Sequence, residues 1–492
     1  MTSDHIISKS TFLRGLQCQK SLALDVLRHD LRDPLSSTAQ FRMRLGQEVG
    51  LEARKRYPGG GVGRVPHSYE ASLQRTQDLI QGGAQVIYEA AFDVGGVRVV
   101  VDVLARGEQG WRLIEVKSTS GAKPEHLWDV AVQVYVLRKS GLLIEEAILL
   151  HLNSDYVRVG ELEHDQLFSE TSLYGEVDDI QQEVERQISI SRVTLDSEIV
   201  PEVEIGIQCK DPVDCDFLGY CWEHIPLPSV FDVYYIGKRA YNLYAQGISR
   251  IEDIPSDAPL DKRSSFHVQA HKAGETIIKP GELKKFLEEL RYPLHYLDFE
   301  TFALPIPPLE GLSPYGKVPF QYSLHIQDVP GGALRHSGFL SESGHDPRLS
   351  FLEQLLDETK GKGDIVVYHR PFEKGVLRSL ADDFPDHREA IEGIIERLVD
   401  LLDPFRQRLY WHPAMGGSNS LKQVLPVFAP ELSYESLEVG NGEQAMEAFL
   451  PLAYEHDPDR IKSIRRALWD YCELDTLAMV RILDGLREQT AA

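Results

Sequence analysis

Between residues 85 and 117 the hydrophobic period of the chain becomes two, and this stretch limits the possible folds more than any other. QVIYEAAFDV, a Gly-Gly turn, VRVVVDVLAR, a GEQG turn and WRLIEVKS read as three consecutive strands. Successive side chains on a strand face opposite sides, so Glu115 and Lys117 share one face while Val116 packs on the other. Asp102, one hairpin back, can join them. Two carboxylates and a lysine on one face suit phosphodiester hydrolysis. The carboxylates supply hard oxygen ligands for Mg²⁺ or Mn²⁺. Such an ion acidifies a bound water, and the lysine positions that water or offsets charge in the transition state. A bare Glu-x-Lys pair is common on exposed hairpins. Here apolar runs flank both carboxylates, and a helix over 125–139 carrying Gln133 and Tyr135 follows at once.

The rest of the chain divides around this meander. With 492 residues it calls for two or three domains. Residues 1–57 read as helical, and EEAILLHLN (145–153) reads as a strand. Residues 226–290 form a connector in which LYAQGISRIEDI has the spacing of half a helix-hairpin-helix, or of an ordinary helical spacer. From HYLDFETF (295–302) onward strands and helices alternate, an α/β pattern. Domains are therefore expected at 1–225, 226–290 and 291–492. The start MTSDHIISKS lacks the apolar stretch of a secretory signal, and no apolar run is long enough for a bilayer, so a cytoplasmic protein without membrane contact is expected. The net charge of −24 argues against a protein that coats nucleic acid through a basic surface, but not against a nuclease with a local basic groove.

Asp102, Glu115, Lys117 and the Gln133 helix resemble the PD-(D/E)xK nucleases of the RecB type, including the CRISPR-associated RecB-like exonucleases. The resemblance implies a restriction-endonuclease-like fold, metal binding by Asp102 and Glu115, a catalytic Lys117 and a supporting Gln133. The family helix usually carries Q-x-x-x-Y, whereas this chain has Q-V-Y, which weakens any role for Tyr135. The family also uses an upstream acid or histidine on a helix. Glu48, in GQEVG, is the candidate metal ligand there, with Glu52 and Glu89 as rivals.

Four of the five cysteines bracket this region: Cys18 before the strands, and Cys209, Cys215 and Cys221 after them in CKDPVDCDFLGYC. Three cysteines in a Pro/Gly/Asp-rich loop make poor core residues. Four thiolates suit an iron–sulfur cluster or zinc, for which His224 is a further donor nearby. The arrangement resembles iron–sulfur nucleases of the RecB type, in which a cluster (4Fe-4S) staples the two ends of the domain together. Cys472 lies in another motif and reads as a packing residue.

In the C-terminal half, Asp298 and Glu300 share a strand face, and Tyr471 and Asp475 share a helix face. Glu373 opens a helix just after the strand VVYH. Acids converging from separate elements can build a two-metal phosphoryl-transfer site, and a tyrosine one turn before the last acid can orient water. The ordered set resembles the DEDD exonucleases of the RNase H fold, in the tyrosine-bearing subgroup. This implies metal binding by Asp298, Glu300 and Asp475, and water positioning by Tyr471. The family has Asp where this chain has Glu373, and Asp400 is the nearest substitute. The whole order, including PFQYSLHI and GSNSLKQVLP, resembles an uncharacterised family of bacterial RecB-like nucleases.

The expectation is thus an α/β chain: a PD-(D/E)xK domain with an iron–sulfur staple, then an RNase H-like domain. The expected activity is Mg²⁺- or Mn²⁺-dependent, exonucleolytic hydrolysis of nucleic acid in repair or defence, with DNA preferred to RNA. The competing expectation is a non-catalytic nucleic-acid-binding scaffold with a structural iron–sulfur or zinc site.

Overall fold

The computed structural model describes residues 5–342 and 344–491. The chain is mixed α/β and divides into two compact units. One comprises residues 1–224 with 304–316, the other 225–303 with 317–492. Among the described residues, no helix is long and apolar enough to cross a membrane.

The first unit opens with α1 (Lys9–Gln17) and α2 (Gln19–Leu27). Sequence periodicity predicts one continuous helix here, but the backbone is extended at Cys18, with φ −162° and ψ 119°. That break caps one helix, starts the next, and lets Cys18 line a cavity with the other three cysteines. The helix α3 (Ser37–Lys55) follows. The three strands of the meander are β1 (Val86–Val94), β2 (Val97–Arg106) and β3 (Trp111–Lys117), paired antiparallel in order. Val97, Val99, Val101 and Val103 are buried, and Asp102 falls on the opposite face. Each such valine contributes about 1.5–3 kcal/mol when fully buried.

From β3 the chain crosses through α4 (Pro124–Lys139) to β4 (Ile144–Leu152), which pairs parallel to β3. Val130, Ala131, Val132, Val134, Val136 and Leu137 of α4 are all fully buried, because this helix is covered on most sides. The strand β5 (Phe168–Ser172) pairs antiparallel to β4, and α5 (Gln181–Asp196) packs beside α4. Ile306, from the 304–316 excursion, packs against the apolar cluster of this unit, and Tyr315 Oη donates to the Ser118 carbonyl at 2.5 Å.

The second unit begins with residues 225–290, where Val230, Val233, Ile236, Leu243, Ile251 and Ile254 make a small core. Within LYAQGISRIEDI a short helix ends, Gly247 takes φ +82°, and a 3₁₀ turn follows at Ile251–Asp253. The sheet comprises β6 (Leu294–Ala303), β7 (Lys317–Gln327), β8 (Leu334–Leu340), β9 (Ile365–Val367) and β10 (Leu398–Asp400), in the spatial order β8-β7-β6-β9-β10. The first three strands pair antiparallel, and β9 and β10 add in parallel. Between β9 and β10 lies α6 (Pro371–Asp383). Then come α7 (Leu421–Phe428) and α8 (Pro458–Ala491), and α8 lies across one sheet face. A bulge in β7 between Pro319 and Gln321 faces the end of β6, beside Glu300.

Candidate active sites

In the first unit, Asp102, Glu115, Lys117 and Gln133 meet. Strand alternation sends Asp102 of β2 and Glu115 of β3 to one side, where Asp102 Oδ2 accepts from the Val116 N–H at 2.8 Å. Glu115 is almost fully buried and heavily bonded. Its Oε1 accepts from Lys117 Nζ and from Lys9 Nζ, both at 2.7 Å, and its Oε2 accepts from Gln133 Nε2 at 2.8 Å. Lys117 also pairs with Asp129 of α4, and Lys9 reaches Asp129 Oδ1 at 3.0 Å. Gln133 Oε1 is buried without a partner.

Two acids and two ammonium groups therefore alternate around one buried point. Burial alone would push the Glu115 carboxyl up, but Lys9 and then Lys117 outweigh it and hold Glu115 well below the usual carboxylate range. Asp102 goes the other way. Burial, then the Glu115 charge, raise it to about 7. One acid is charged and ready while its neighbour holds a proton near neutrality, which is the split expected of two close carboxylates.

Lys9 and Asp129 are members of this site that the sequence did not single out. Lys9 is the first residue of α1, more than ninety positions before Asp102, and nothing in KSTFLRG marks it. Asp129 stands one turn before Gln133 on α4, so the helical spacing could have found it. Of the three upstream acids, Glu48 is exposed on α3. Glu52 is bonded to Lys55 at 2.8 Å and His164 at 2.7 Å. Glu89 falls at the register position opposite Asp102, at a φ of 49°, with its carboxylate held by Arg54 and Arg64 at 3.1 Å each. Tyr135 donates to Glu185 at 3.2 Å instead of to this site.

Cys18, Cys209, Cys215 and Cys221 line one cavity. Their loop is tied to the N-terminal helices. Gln17 Nε2 donates to the Gln208 and Val213 carbonyls at 2.8 and 2.7 Å, and Asp216 accepts from Arg14 and Arg32 at 2.6 Å each. Burial, and the neighbouring thiols, push Cys18 and Cys221 up. Cys472 is buried on α8, its Sγ 3.7 Å from Asp298 Oδ2.

In the second unit, Asp298, Glu300 and Asp475 converge, each offering one oxygen with all three oxygens within 4.8 Å of one another. Asp298 and Glu300 are alternate residues of β6 on the face that α8 covers. Asp475 comes from α8, where Gln321 Nε2 bonds the Leu468 carbonyl at 2.9 Å and holds the helix to the sheet. Burial first, and then mutual repulsion, raise Asp298 and Glu300 well above the carboxylate range; burial raises Asp475 to about 6.

Tyr434 donates to Asp475 Oδ1 at 2.5 Å. Tyr471 is buried one turn before Asp475, and burial with the Asp475, Glu300 and Asp298 charges pushes its phenol far up, so it remains a proton donor. Lys422, from α7, bonds the Gly440 carbonyl and lies over the rings of Tyr434 and Tyr471, 5.1 and 5.4 Å from their centroids. Its charge lowers Glu300 and Asp475. No periodic pattern in the sequence points to Tyr434, and none in GSNSLKQVLP assigns a role to Lys422.

Glu373 is on α6, almost fully buried, with Oε2 unpartnered. It lies outside the three-oxygen group, though its charge is felt by Asp298 and Glu300. Burial raises it to about 8. Asp400 caps local backbone: it accepts from the His369 and Leu402 N–H groups at 2.9 and 3.1 Å and from Arg406 at 3.4 Å. It is a structural anchor at the end of β10.

These shifts set a pH dependence. An acid raised in the folded state binds more protons folded than unfolded. Its contribution is fully present below the ordinary pKa, about 4, and is lost as pH rises through the folded value. For Asp475, Asp102 and Glu373 those values are about 6, 7 and 8. In chelator the thermal midpoint should therefore fall between pH 5.5 and 8.5, and Mn²⁺ should raise it more at pH 8.5, where the ligands are already ionised. A metal-free midpoint that rises over this window, with an equal Mn²⁺ shift at both ends, would contradict the assignment.

Residues 295–420 match the model of a domain of unknown function, DUF2779. The matched stretch contains Asp298, Glu300 and Glu373 and ends before Tyr471 and Asp475. An uncharacterized protein of Mycoplasma pneumoniae, described as the MG366 homolog, is 25% identical over 255 residues, which is 48% of this chain. The aligned region spans 38% of that relative's length. No solved structure matches the chain.

Proposed function

We propose that the protein is a metal-dependent nuclease with two hydrolytic centres, one in each unit. The observation that carries this reading is the convergence of the half-buried Asp298 with the buried Glu300 and Asp475, acids from a strand and a helix with oxygens within 4.8 Å of one another. Three such carboxylates repel one another without a cation and together suit Mg²⁺ or Mn²⁺. The sheet order, with three antiparallel strands followed by two parallel ones, supports an RNase H-like assignment for the second unit. The meander, crossover helix and parallel strand support a PD-(D/E)xK assignment for the first.

Asp298, Glu300 and Asp475 would hold the ions of the second centre, and Asp102 with Glu115 those of the first. Bound there, a divalent ion supplies a water of lowered pKa and a counter-charge for the phosphoryl oxygens. In the second centre Tyr471 keeps its proton and donates a hydrogen bond to a water, Tyr434 fixes the Asp475 carboxylate, and Lys422 adds positive charge beside Glu300. In the first centre Lys117 and Lys9 keep Glu115 ionised, and Gln133 fixes its second oxygen. Lys117 is the residue assigned to the attacking water. The test is release of label from 5′- and 3′-labelled single strands of DNA and RNA in Mg²⁺ or Mn²⁺. Absence of metal-dependent cleavage on every strand would overturn the proposal in favour of a non-catalytic nucleic-acid-binding scaffold.

Cys18, Cys209, Cys215 and Cys221 fit an iron–sulfur cluster better than zinc. A single zinc ion at about 2.3 Å from four thiolates draws the sulfurs to roughly 3.8 Å apart. Among the described residues no three of these sulfurs lie within 4.8 Å of one another, although all four line one cavity. A cluster gives each thiolate its own iron and so takes wider spacing. Protein purified without oxygen should carry about four irons per chain, absorb in the visible, and lose both properties together with thermal stability in Cys215→Ser. Stoichiometric zinc in place of iron would overturn the cluster.

A further inference from the structure

The same face of the second sheet carries a second group of ligands. His325 of β7 and His336 of β8 are direct cross-strand partners, with ring centroids 4.4 Å apart. Glu473 comes from α8. One ligand atom from each of these three residues can be chosen so that all lie within 4.8 Å of one another. At about 100° per residue, Glu473 and Thr476 project from a different flank of α8 than Tyr471 and Asp475. The group is therefore separate from the three-acid centre.

One pattern of hydrogen bonds around it satisfies every partner and assigns the ring protons. Thr476 Oγ1 donates its one proton to the Glu473 carbonyl at 3.0 Å. With the proton placed there, the arrangement that satisfies every partner has Thr476 accept from His325 Nδ1 at 2.8 Å and from Ser323 Oγ at 2.7 Å. Ser323 has spent its proton on Thr476, so it accepts from His336 Nε2 at 3.0 Å. In that arrangement His325 Nε2 and His336 Nδ1 are the nitrogens without a proton. His336 Nδ1 lies 3.6 Å from Glu473 Oε1, too far for a hydrogen bond. Two imidazoles and a carboxylate that each offer one atom within 4.8 Å of the others make a donor set suited to a cation. The outward N–H of each ring is held by a hydroxyl, the outer support that metal-ligating histidines require.

We infer that His325, His336 and Glu473 form a transition-metal site of the zinc class, held by Ser323 and Thr476, which clamps α8 to the edge strand β8. Two histidines and one carboxylate suit zinc and leave one position for water or an outside ligand. This inference does not depend on nuclease activity.

The test is equilibrium dialysis of the chelator-treated full chain against zinc chloride, with metal counted per chain. His336→Ala and Glu473→Gln should each bind one zinc fewer than the wild type, while Asp298→Ala keeps this site. Ser323→Ala, which removes the acceptor for His336, should bind that zinc about 10–100-fold more weakly. Any zinc on the cysteines is common to the wild type and all four variants and cancels in the difference. Glu473 is partly exposed, so Glu473→Gln decides the matter even where His336→Ala does not fold. Wild-type zinc content and affinity in folded Glu473→Gln would overturn the site and identify the group as a protonated His336 beside Glu473.

Discussion

In a chain whose second centre is silenced by Asp298→Ala, replacing Lys117 by alanine should lower the remaining metal-dependent cleavage by about 10²–10³-fold, the usual cost of removing one preorganised donor at a phosphoryl or acyl centre. The loss should fall on kcat. Glu115 is bonded to both Lys9 and Lys117 at 2.7 Å, and Lys9 is the stronger of the two influences holding it ionised. With Lys117 gone, Lys9 and Gln133 still hold Glu115, so a divalent ion still finds a charged ligand and the metal concentration for half-maximal rate should shift little. A lysine that served only as half of a structural ion pair would show a different pattern. Its loss would lower the thermal midpoint and leave the rate of the folded fraction unchanged. Steady-state kinetics against metal concentration, with a melting curve for each variant, separates the two. An unchanged kcat in the folded variant would remove Lys117 from the chemistry.

The two centres were legible in the sequence to different depths, and for physical reasons. A strand writes its face into every second residue, so Asp102, Glu115 and Lys117 could be set side by side from the alternation in β2 and β3 alone. Asp298 with Glu300 on β6, and Tyr471 with Asp475 on α8, were legible in the same way. Contacts made across the chain leave no periodic trace. Lys9 reaches Glu115 from the opening turn of α1, and Tyr434 reaches Asp475 from a loop whose sequence, ELSYESLEVG, has no pattern pointing there. Glu48 shows the opposite failing. A helix with an acid in it offers many faces, and the fold leaves this one in solvent.

The break at Cys18 was hidden because the apolar spacing of α1 continues into α2, so periodicity alone runs the helix through. The polar residues of β7 were hidden for a related reason. Gln321, Ser323 and His325 alternate in PFQYSLHIQ as a solvent-facing strand would, yet all three are buried. α8 covers them, and their hydrogen bonds to Leu468, Thr476 and His336 offset the cost of that burial.

The second large effect concerns Asp298 itself. In a Lys117→Ala background, Asp298→Ala should reduce the remaining cleavage by at least about 10³-fold, because it removes a ligand from a centre whose catalysis is mainly metal positioning and charge stabilisation. It should also raise the metal-free thermal midpoint at pH 8. Asp298, Glu300 and Asp475 are crowded, and the neighbouring charges raise the cost of ionising Asp298 and Glu300. Removing one relieves the rest. A gain in metal-free stability joined to a loss of activity is the mark of a site where function is held against the fold's own preference. The same change should blunt the stabilisation by Mn²⁺, since two oxygens remain where three converged. Asp298→Asn tests the charge with the shape kept, and should behave like the alanine variant in all three measurements. Cleavage by Lys117→Ala/Asp298→Asn equal to that of Lys117→Ala, with an unchanged Mn²⁺ shift, would show that the three acids are a packing feature of β6 and α8, and would remove them from the hydrolysis.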